Sequence, residues 1–167
     1  MSWEKDIEEL KKREKLSEKM GGKVKLQRQK DNNRLNVRER IDLLLDKDSF
    51  HEIGKIAGKA EYDENGELIK FIPSNFVMGR GKINDRNVVV GGDDFTVRGG
   101  AADASIAQKQ IMAEQLANEY RIPLIRLIEG TGGGGSVKSL DMDARTYIPG
   151  NPGWNWVVDN LSTVPVI

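Results

Sequence analysis

Five glycines fall within six positions, Gly130 and Gly132 to Gly135, with Thr131 between them. They follow directly on a short apolar run, Leu124 to Ile128, broken only by Arg126. Such a run reads as a buried strand, and backbone amides with no Cβ in the way can point at an oxygen that carries negative charge. A strand that empties into glycine is therefore a candidate oxyanion or phosphate cradle. A flexible surface linker is the bland alternative, although linkers usually carry Ser, Pro and charge and do not follow a buried strand. A second set of glycines, Gly91, Gly92, Gly99 and Gly100, brackets Asp93 to Arg98. Asp93 and Asp94 have the residue types of an acid/base or cation-binding pair, but adjacent Asp residues in a loop also cap turns and helices. His51 is the only histidine and cysteine is absent. Composition thus gives no multi-histidine or thiolate metal site, no disulfide, and a Ser/His/Asp triad only if it rests on His51.

A chain of 167 residues can bury one sizeable core. With 26 basic and 26 acidic residues the net charge is zero, which gives no reason to expect nucleic acid. No apolar run approaches the roughly 18 to 20 residues that span a bilayer, and the N-terminus lacks the apolar core of a signal peptide. No membrane partner is expected, and the location expected is the cytoplasm. Charge is unevenly spread: residues 1–40 hold 13 Lys and Arg against 8 Asp and Glu, and the remainder 13 against 18. A basic head could serve a phosphate-bearing ligand or a contact between subunits.

These residues need elements to position them. Residues 3–20 are rich in helix formers, with Ser2 as N-cap, Gly21 and Gly22 as the stop, and a stripe of Trp3, Ile7 and Leu10 for packing on the body or on a second subunit. Residues 23–34 lack a clear period and read as a basic extended connection. Asn36 and Glu39 have the spacing of a capping box that opens a short helix carrying Ile41 and Leu43 to Leu45, with Arg38 and Arg40 on the opposite side. Two hairpins follow, one turning at Asn65-Gly66 and one at Asn84 to Asn87. Val88 to Val90 is typical of a central strand buried on both faces. Residues 101–120 form the clearest helix, with Met112, Leu116 and Tyr120 as the face toward the sheet, and Pro123 then leads into the strand before the glycine run. Strand, helix, strand is a βαβ unit, in which ligands sit at the carboxyl ends of parallel strands. Residues 138–153 read as loop. A short helix follows with Trp154 and Trp156 as packing residues, and Thr163 to Ile167 begins another buried strand.

Three glycine motifs compete. A P-loop fails on register, because Ser136 follows Gly135 and Lys138 stands two places late. The dinucleotide pattern GxGxxG is met literally by Gly130, Gly132 and Gly135, yet no helix follows, and this is not the first βα unit of a nucleotide fold. An oxyanion or acyl-thioester pocket is the third.

The wider sequence bears on that choice. RLNVRERIDLLLDKDSFHEIG, VVVGGDDFTVRGGA before a helix containing AQK, and PLIRLIEGTGGGGSV stand in the order and rough spacing found in the carboxyltransferase (β) subunits of biotin-dependent acyl-CoA carboxylases of the propionyl-CoA and methylcrotonyl-CoA type. From about Leu35 the chain resembles that family. The resemblance implies an α/β fold of the crotonase-like (ClpP/crotonase) class, a superhelix of ββα units. Residues 1–34 would be a basic helical N-terminal extension, and 35–167 an incomplete N-terminal carboxyltransferase domain. It further implies transfer of a carboxyl group from N1 of biotin to the α-carbon of an acyl-CoA, with the biotin carried on a partner protein or domain and no metal required. Biotin carboxylase and biotin carrier subunits would be partners, the full-length family would form hexamers, and in a eukaryote the site would be the mitochondrial matrix.

Carried over by resemblance, the motif DFTVxGG falls on Asp94 to Thr96, Val97, Gly99 and Gly100, with Arg98 at the variable place. The substrate-pocket loop DSGGAR falls on Glu129 to Gly135, where this chain has Glu for Asp, one residue more and no arginine. Gly99, Gly100, Gly132, Gly133, Gly134 and Gly135 are thereby expected around the acyl-CoA thioester, and Arg38 and Arg40 with neighbouring lysines around the CoA phosphates. No catalytic side chain is implied. In the family a strand like STVPVI leads into a GPxAGG turn, so a chain ending at Ile167 is expected to be a fragment inactive alone. A non-catalytic oligomerisation or binding module of the same fold is the competing expectation, and an NAD-dependent dehydrogenase a third.

Overall fold

The valine run explains the sheet. The computed structural model describes residues 3–101, 106–130 and 153–167. In it β4 (Phe76–Ile83), β5 (Arg86–Asp93) and β6 (Leu124–Leu127) stand side by side, with β1 (His51–Ile53) on the outer edge of β4. β5 pairs antiparallel with β4 and parallel with β6. Side chains alternate across a strand, so a central strand covered on both faces must be apolar at every position. Val88 and Val90 point one way, with Val77 and Ile125, toward Val37 and Ile41 of α3 (Val37–Leu44). Val89 points the other way, with Met78 and Leu124, toward Ala113 and Ala117 of α4 (Ala107–Tyr120). The result is helix, sheet, helix in three layers.

Local sequence fixes most elements. The capping box opens α3: Asn36 Oδ1 accepts from the Arg38 and Glu39 amides and the Glu39 carboxylate accepts from the Asn36 amide. β2 (Gly58–Tyr62) and β3 (Leu68–Pro73) form a separate two-stranded sheet. The β4–β5 connection is tighter than the expected Asn84 to Asn87. Only Asn84 and Asp85 lie outside the ladder, both with positive φ, as the right-handed twist of a two-residue hairpin requires.

Several expectations are corrected. α1 spans Glu4–Ser17 with Trp3 at its N-cap position, and Ser2 lies outside the described residues. Its apolar stripe does not pack on the described body. Trp3, Ile7 and Leu10 are exposed, and the opposite face touches the β2–β3 hairpin through Lys12 to the Leu68 carbonyl and Arg13 over the Tyr62 ring. Residues 23–34 are not an extended connection. Lys23–Asp31 form a helix, α2, which buries Gln29 and packs Leu26 on the core while its charges remain in water.

α4 begins at Ala107, and it turns a different face to the sheet from the one expected. Met112 and Tyr120 are 43% and 56% exposed, while Lys109, Ala113 and Ala117 form the buried stripe and Leu116 packs beside it. Alanine lets the helix approach the sheet more closely than methionine or tyrosine would, and Tyr120 instead lies under the Arg80 guanidinium. The final helix, α5 (Trp154–Thr163), docks on α4 through Asn160, which is fully buried and donates to the Glu114 carbonyl and carboxylate, both at 2.9 Å. Trp154 is 64% exposed rather than packed. Thr163 is still helical. The strand-like pairing starts at Pro165, where residues 165–167 bond the free edge of β6 in parallel. Among the described residues no helix is long and apolar enough to cross a membrane.

Candidate functional site

Because β5 and β6 are parallel neighbours, with Gly91 opposite Arg126 and Gly92 opposite Leu127, their carboxyl ends emerge together. β5 runs into Asp93 and Asp94, and β6 into Ile128 to Gly130. The Glu129 amide donates to Asp93 Oδ2 at 3.2 Å, which ties the two ends. The turn after β5 is built by side chains. Asp94 Oδ1 accepts from the Thr96 amide at 2.9 Å and from Thr96 Oγ1 at 2.6 Å, and Thr96 Oγ1 accepts in turn from the Gly21 amide at 2.9 Å. Asn75 clamps both limbs: its carbonyl accepts from the Asp94 amide, and its Nδ2 donates to the Ala101 carbonyl at 2.7 Å. Of the two roles open to the aspartates, Asp94 has the capping one. Burial raises the pKa of Asp93 and of Asp94, opposed for Asp93 by the Glu129 amide and for Asp94 by its bonds to Thr96.

Arg98, Gly99 and Gly100 have φ of 52, 64 and 69°, three left-handed residues in succession. Gly100 must be glycine for a second reason: a Cβ there would overlap the Glu129 carbonyl oxygen. The Gly99-Gly100 turn thus lies against Glu129 and Gly130, at the end of β6. The Gly100 amide donates to the Val97 carbonyl at 3.2 Å, so this residue shapes the wall and does not present a free donor. Gly132, Gly133, Gly134 and Gly135 lie outside the described residues.

Arg38 and Arg40, expected at the CoA phosphates, both face carboxylates. Arg38 makes a two-pronged bond to Glu52, at 2.7 and 2.9 Å, and Arg40 stands 3.7 Å from Glu129. Near Glu52 and Arg38 sits Lys109, a residue that sequence reasoning missed. It is 7% exposed, its stem lies beside Gly54, and burial brings its pKa down to about 8, with Glu52 opposing and Arg38 adding to the fall. A lysine at i, i+4, i+8 with two alanines was the signal that could have found it.

Two clefts flank the turn. One, of about 340 Å³, opens at the carboxyl ends of β5 and β6, lined by Gly91, Asp93, Gln110, Ile128, Trp154 and Val157 among others. The other, of about 450 Å³, lies between α2 and the turn, lined by Lys25, Arg28, Gln29, Asn32, Arg34, Phe95, Thr96 and Gly99. Among the described residues no group of three His, Asp or Glu is placed to hold a metal ion.

The site is a βαβ unit whose β6 end, at Glu129 and Gly130, lies against the Gly99-Gly100 turn. Residues 28–145 match the model of the carboxyl transferase domain, well over half of the chain, and the chain belongs to that family. It is 37% identical over 114 residues to the propionyl-CoA carboxylase beta chain of Rattus norvegicus, covering 67% of this chain and 21% of that one. To the methylcrotonoyl-CoA carboxylase beta chain of Arabidopsis thaliana it is 34% identical over 114 residues, covering 67% and 18%. To the carboxyltransferase subunit of propionyl-CoA carboxylase of Haloferax mediterranei it is 30% identical over 132 residues, covering 79% and 26%. The chain therefore spans about a fifth to a quarter of the length of these curated relatives. Among solved structures, transcarboxylase 12S, a hexamer with methylmalonyl-coenzyme A and methylmalonic acid bound, superposes with a TM-score of 0.66 at 26% identity, over 79% of this chain and 26% of that one. A single-chain long-chain acyl-CoA carboxylase shares the fold, with a TM-score of 0.71 over 96% of this chain and 17% of that one, at 24% identity. The fold is the crotonase-like one of these carboxyltransferases.

Proposed function

We propose that this chain forms an acyl-CoA-binding wall of a biotin-dependent carboxyltransferase. The observation that carries the reading is the meeting of the Gly99-Gly100 turn with the Glu129-Gly130 end of β6, in a chain of the carboxyl transferase family. Carboxylation at the α-carbon of a thioester requires that carbon to become nucleophilic, which moves negative charge onto the thioester oxygen. Backbone amides fixed in place before the reaction stabilise that charge without reorganising. The donors assigned here are amides of the run Gly132 to Gly135, with Gly99 and Gly100 shaping the wall behind them. Biotin, carried by a partner, supplies the activated carboxyl group, and no residue of this chain is assigned to it. Biotin carboxylase and biotin carrier components are the corresponding partners, and assembly as a hexamer follows the transcarboxylase relative.

The test is a titration of the 15N-glycine-labelled chain with propionyl-CoA, followed by amide NMR. Amides of Gly99, Gly100, Gly130 and the run beyond should shift together, and a thioether analogue lacking the carbonyl should shift them less. If propionyl-CoA left every one of these amides in place, the reading would fail. The exposed stripe Trp3, Ile7 and Leu10 specifically favours the second reading, a subunit-contact role for the same fold. That role is compatible with the first and is tested by the oligomeric state of a Trp3→Ser, Ile7→Ser variant.

A further inference from the structure

Lys109 stands in the first turn of α4, the end of a helix that disfavours positive charge. It is 7% exposed, and its stem runs past Gly54, where a Cβ would lie 3.4 Å from the lysine Cε. Among the described residues no hydrogen bond or ion pair reaches its ammonium, and the charges that bear on it are Glu52 of β1 and Arg38 of α3. The first turn of its own helix brings no carboxylate. Lys55, next to Gly54, is by contrast engaged by Glu18 at 2.6 Å. Burial, together with the Arg38 charge, brings Lys109 down to a pKa of about 8 against the pull of Glu52. At pH 7.4 roughly one molecule in five then holds a free amine there, against about one in a thousand for an ordinary lysine. A second polar atom of this cluster also lacks a partner. Arg38 gives both terminal nitrogens to Glu52, at 2.7 and 2.9 Å, while its buried Nε has no acceptor among the described residues. Buried donors without an acceptor are uncommon in folded proteins, and a guanidinium donor is best satisfied by an anion.

We propose that Lys109 is a carbon dioxide site, at which the side-chain amine adds CO2 to form a carbamate whose oxygen accepts from the free Nε–H of Arg38. The neutral nitrogen attacks the carbon of CO2 and an N–C bond forms. One C=O π pair moves onto oxygen, and the nitrogen gives up a proton to water, so a neutral amine and CO2 become one carbamate anion and one proton. The product relieves both irregularities of the cluster. A negative group replaces a buried cation at the start of α4, and the unpartnered donor of Arg38 gains a charged acceptor. Glu52 opposes the new anion, and its two bonds to Arg38 leave the Nε edge as the place where the carbamate sits. Access selects the electrophile. CO2 has three atoms and no charge, so it reaches an amine that is 7% exposed, whereas a thioester carbonyl must bring the bulk of its carrier with it. The inference goes beyond the carboxyltransferase reading and does not rest on it, since the modification needs no thioester.

Chemical trapping of the full chain tests it. The chain is incubated at pH 8 with 13C-bicarbonate, treated with triethyloxonium to fix the labile carbamate as its ethyl ester, and digested for peptide mass spectrometry. The labelled ester should map to Lys109 and exceed that at Lys59, exposed on β2, by at least about tenfold. Its yield should climb between pH 7 and pH 9, as the amine loses its proton under the opposed influences of Arg38 and Glu52. Lys109→Arg should carry no mark at that position. Arg38→Lys, which keeps the charge and loses the Nε–H, should lower the yield by about tenfold. A second readout needs no Arg38 variant: more dissolved CO2 at constant pH should raise the melting temperature of the parent and leave that of Lys109→Met in place. Where Arg38→Lys does not fold, this comparison decides. The proposal is overturned if the label is absent from Lys109 or spread evenly over the lysines, if a folded Arg38→Lys is marked as fully as the parent, or if CO2 leaves the parent's melt unmoved. It is equally overturned if propionyl-CoA acylates Lys109 while CO2 does not mark it. The shifts of the glycine amides with propionyl-CoA are read separately, so either reading can fail while the other stands.

Discussion

At the scale of single residues, the burial of ionisable side chains at Lys109, Asp93 and Asp94 is the feature with the largest measurable consequence. Lys109 titrates near 8 rather than its usual 10.5 because burial disfavours its ammonium. Between those two values the unfolded chain binds more protons than the folded one, so this group makes stability rise with pH from about 8 to about 10.5. The full difference is on the order of 3 kcal/mol. A Lys109→Met variant should melt higher than the parent at pH 7, with the gap closing by pH 10. A gap that stayed constant with pH would show that the ammonium is not penalised. Asp93 and Asp94 act with the opposite sense. Their raised values mean that the folded state holds protons longer than the unfolded one, so their contribution to stability is full in acid and declines as pH rises through their folded values. Thr96→Val should cost about 1 to 3 kcal/mol in a chemical melt, because it removes the bond to Asp94 and leaves the Gly21 amide without its acceptor.

At the scale of elements, two close contacts decide the geometry of the site. Gly100→Ala combines positive φ with an overlap on the Glu129 carbonyl, and it should cost at least about 1 to 3 kcal/mol while separating this turn from the end of β6. Changed shifts at Gly130 would report that separation. Asn160→Leu should loosen α5 from α4 by removing bonds to Glu114 and Asn118 in a fully buried place. Amide exchange along 154–163 should then rise ahead of the rest.

What the sequence made legible follows the range of the forces involved. The α3 capping box, both hairpins and the twice-buried valine strand are written within a few residues, and the structure has them. α2 was illegible because its charges surround it, and the burial that holds it, at Leu26 and Gln29, depends on elements elsewhere in the chain. The buried face of α4 was misread because Ile111, Met112, Leu116 and Tyr120 advertise apolar surface on several sides, while close approach to the sheet selects the alanines. The pairing of Arg38 with Glu52 joins residues fourteen apart on different elements, and no local pattern announces it.

At the scale of the whole molecule, a ligand that binds only the folded form raises the melting temperature. An acyl-CoA at a hundred times its dissociation constant should add about 2.7 kcal/mol. The chain by itself, given free biotin and acyl-CoA, should bind the thioester and show no turnover, and steady carboxylation would overturn that expectation.

The two neighbours of β5 also reach it at different times. The Asn84-Asp85 reversal lets β4 zip onto β5 on a scale of microseconds, whereas β6 must await closure of a loop that includes all of α4. Until then Val88, Val89 and Val90 present an unpaired edge with apolar side chains on either side, the kind of surface on which nascent chains associate. Refolding yield should accordingly fall as chain concentration rises, and Val89→Thr should recover it at some expense in final stability.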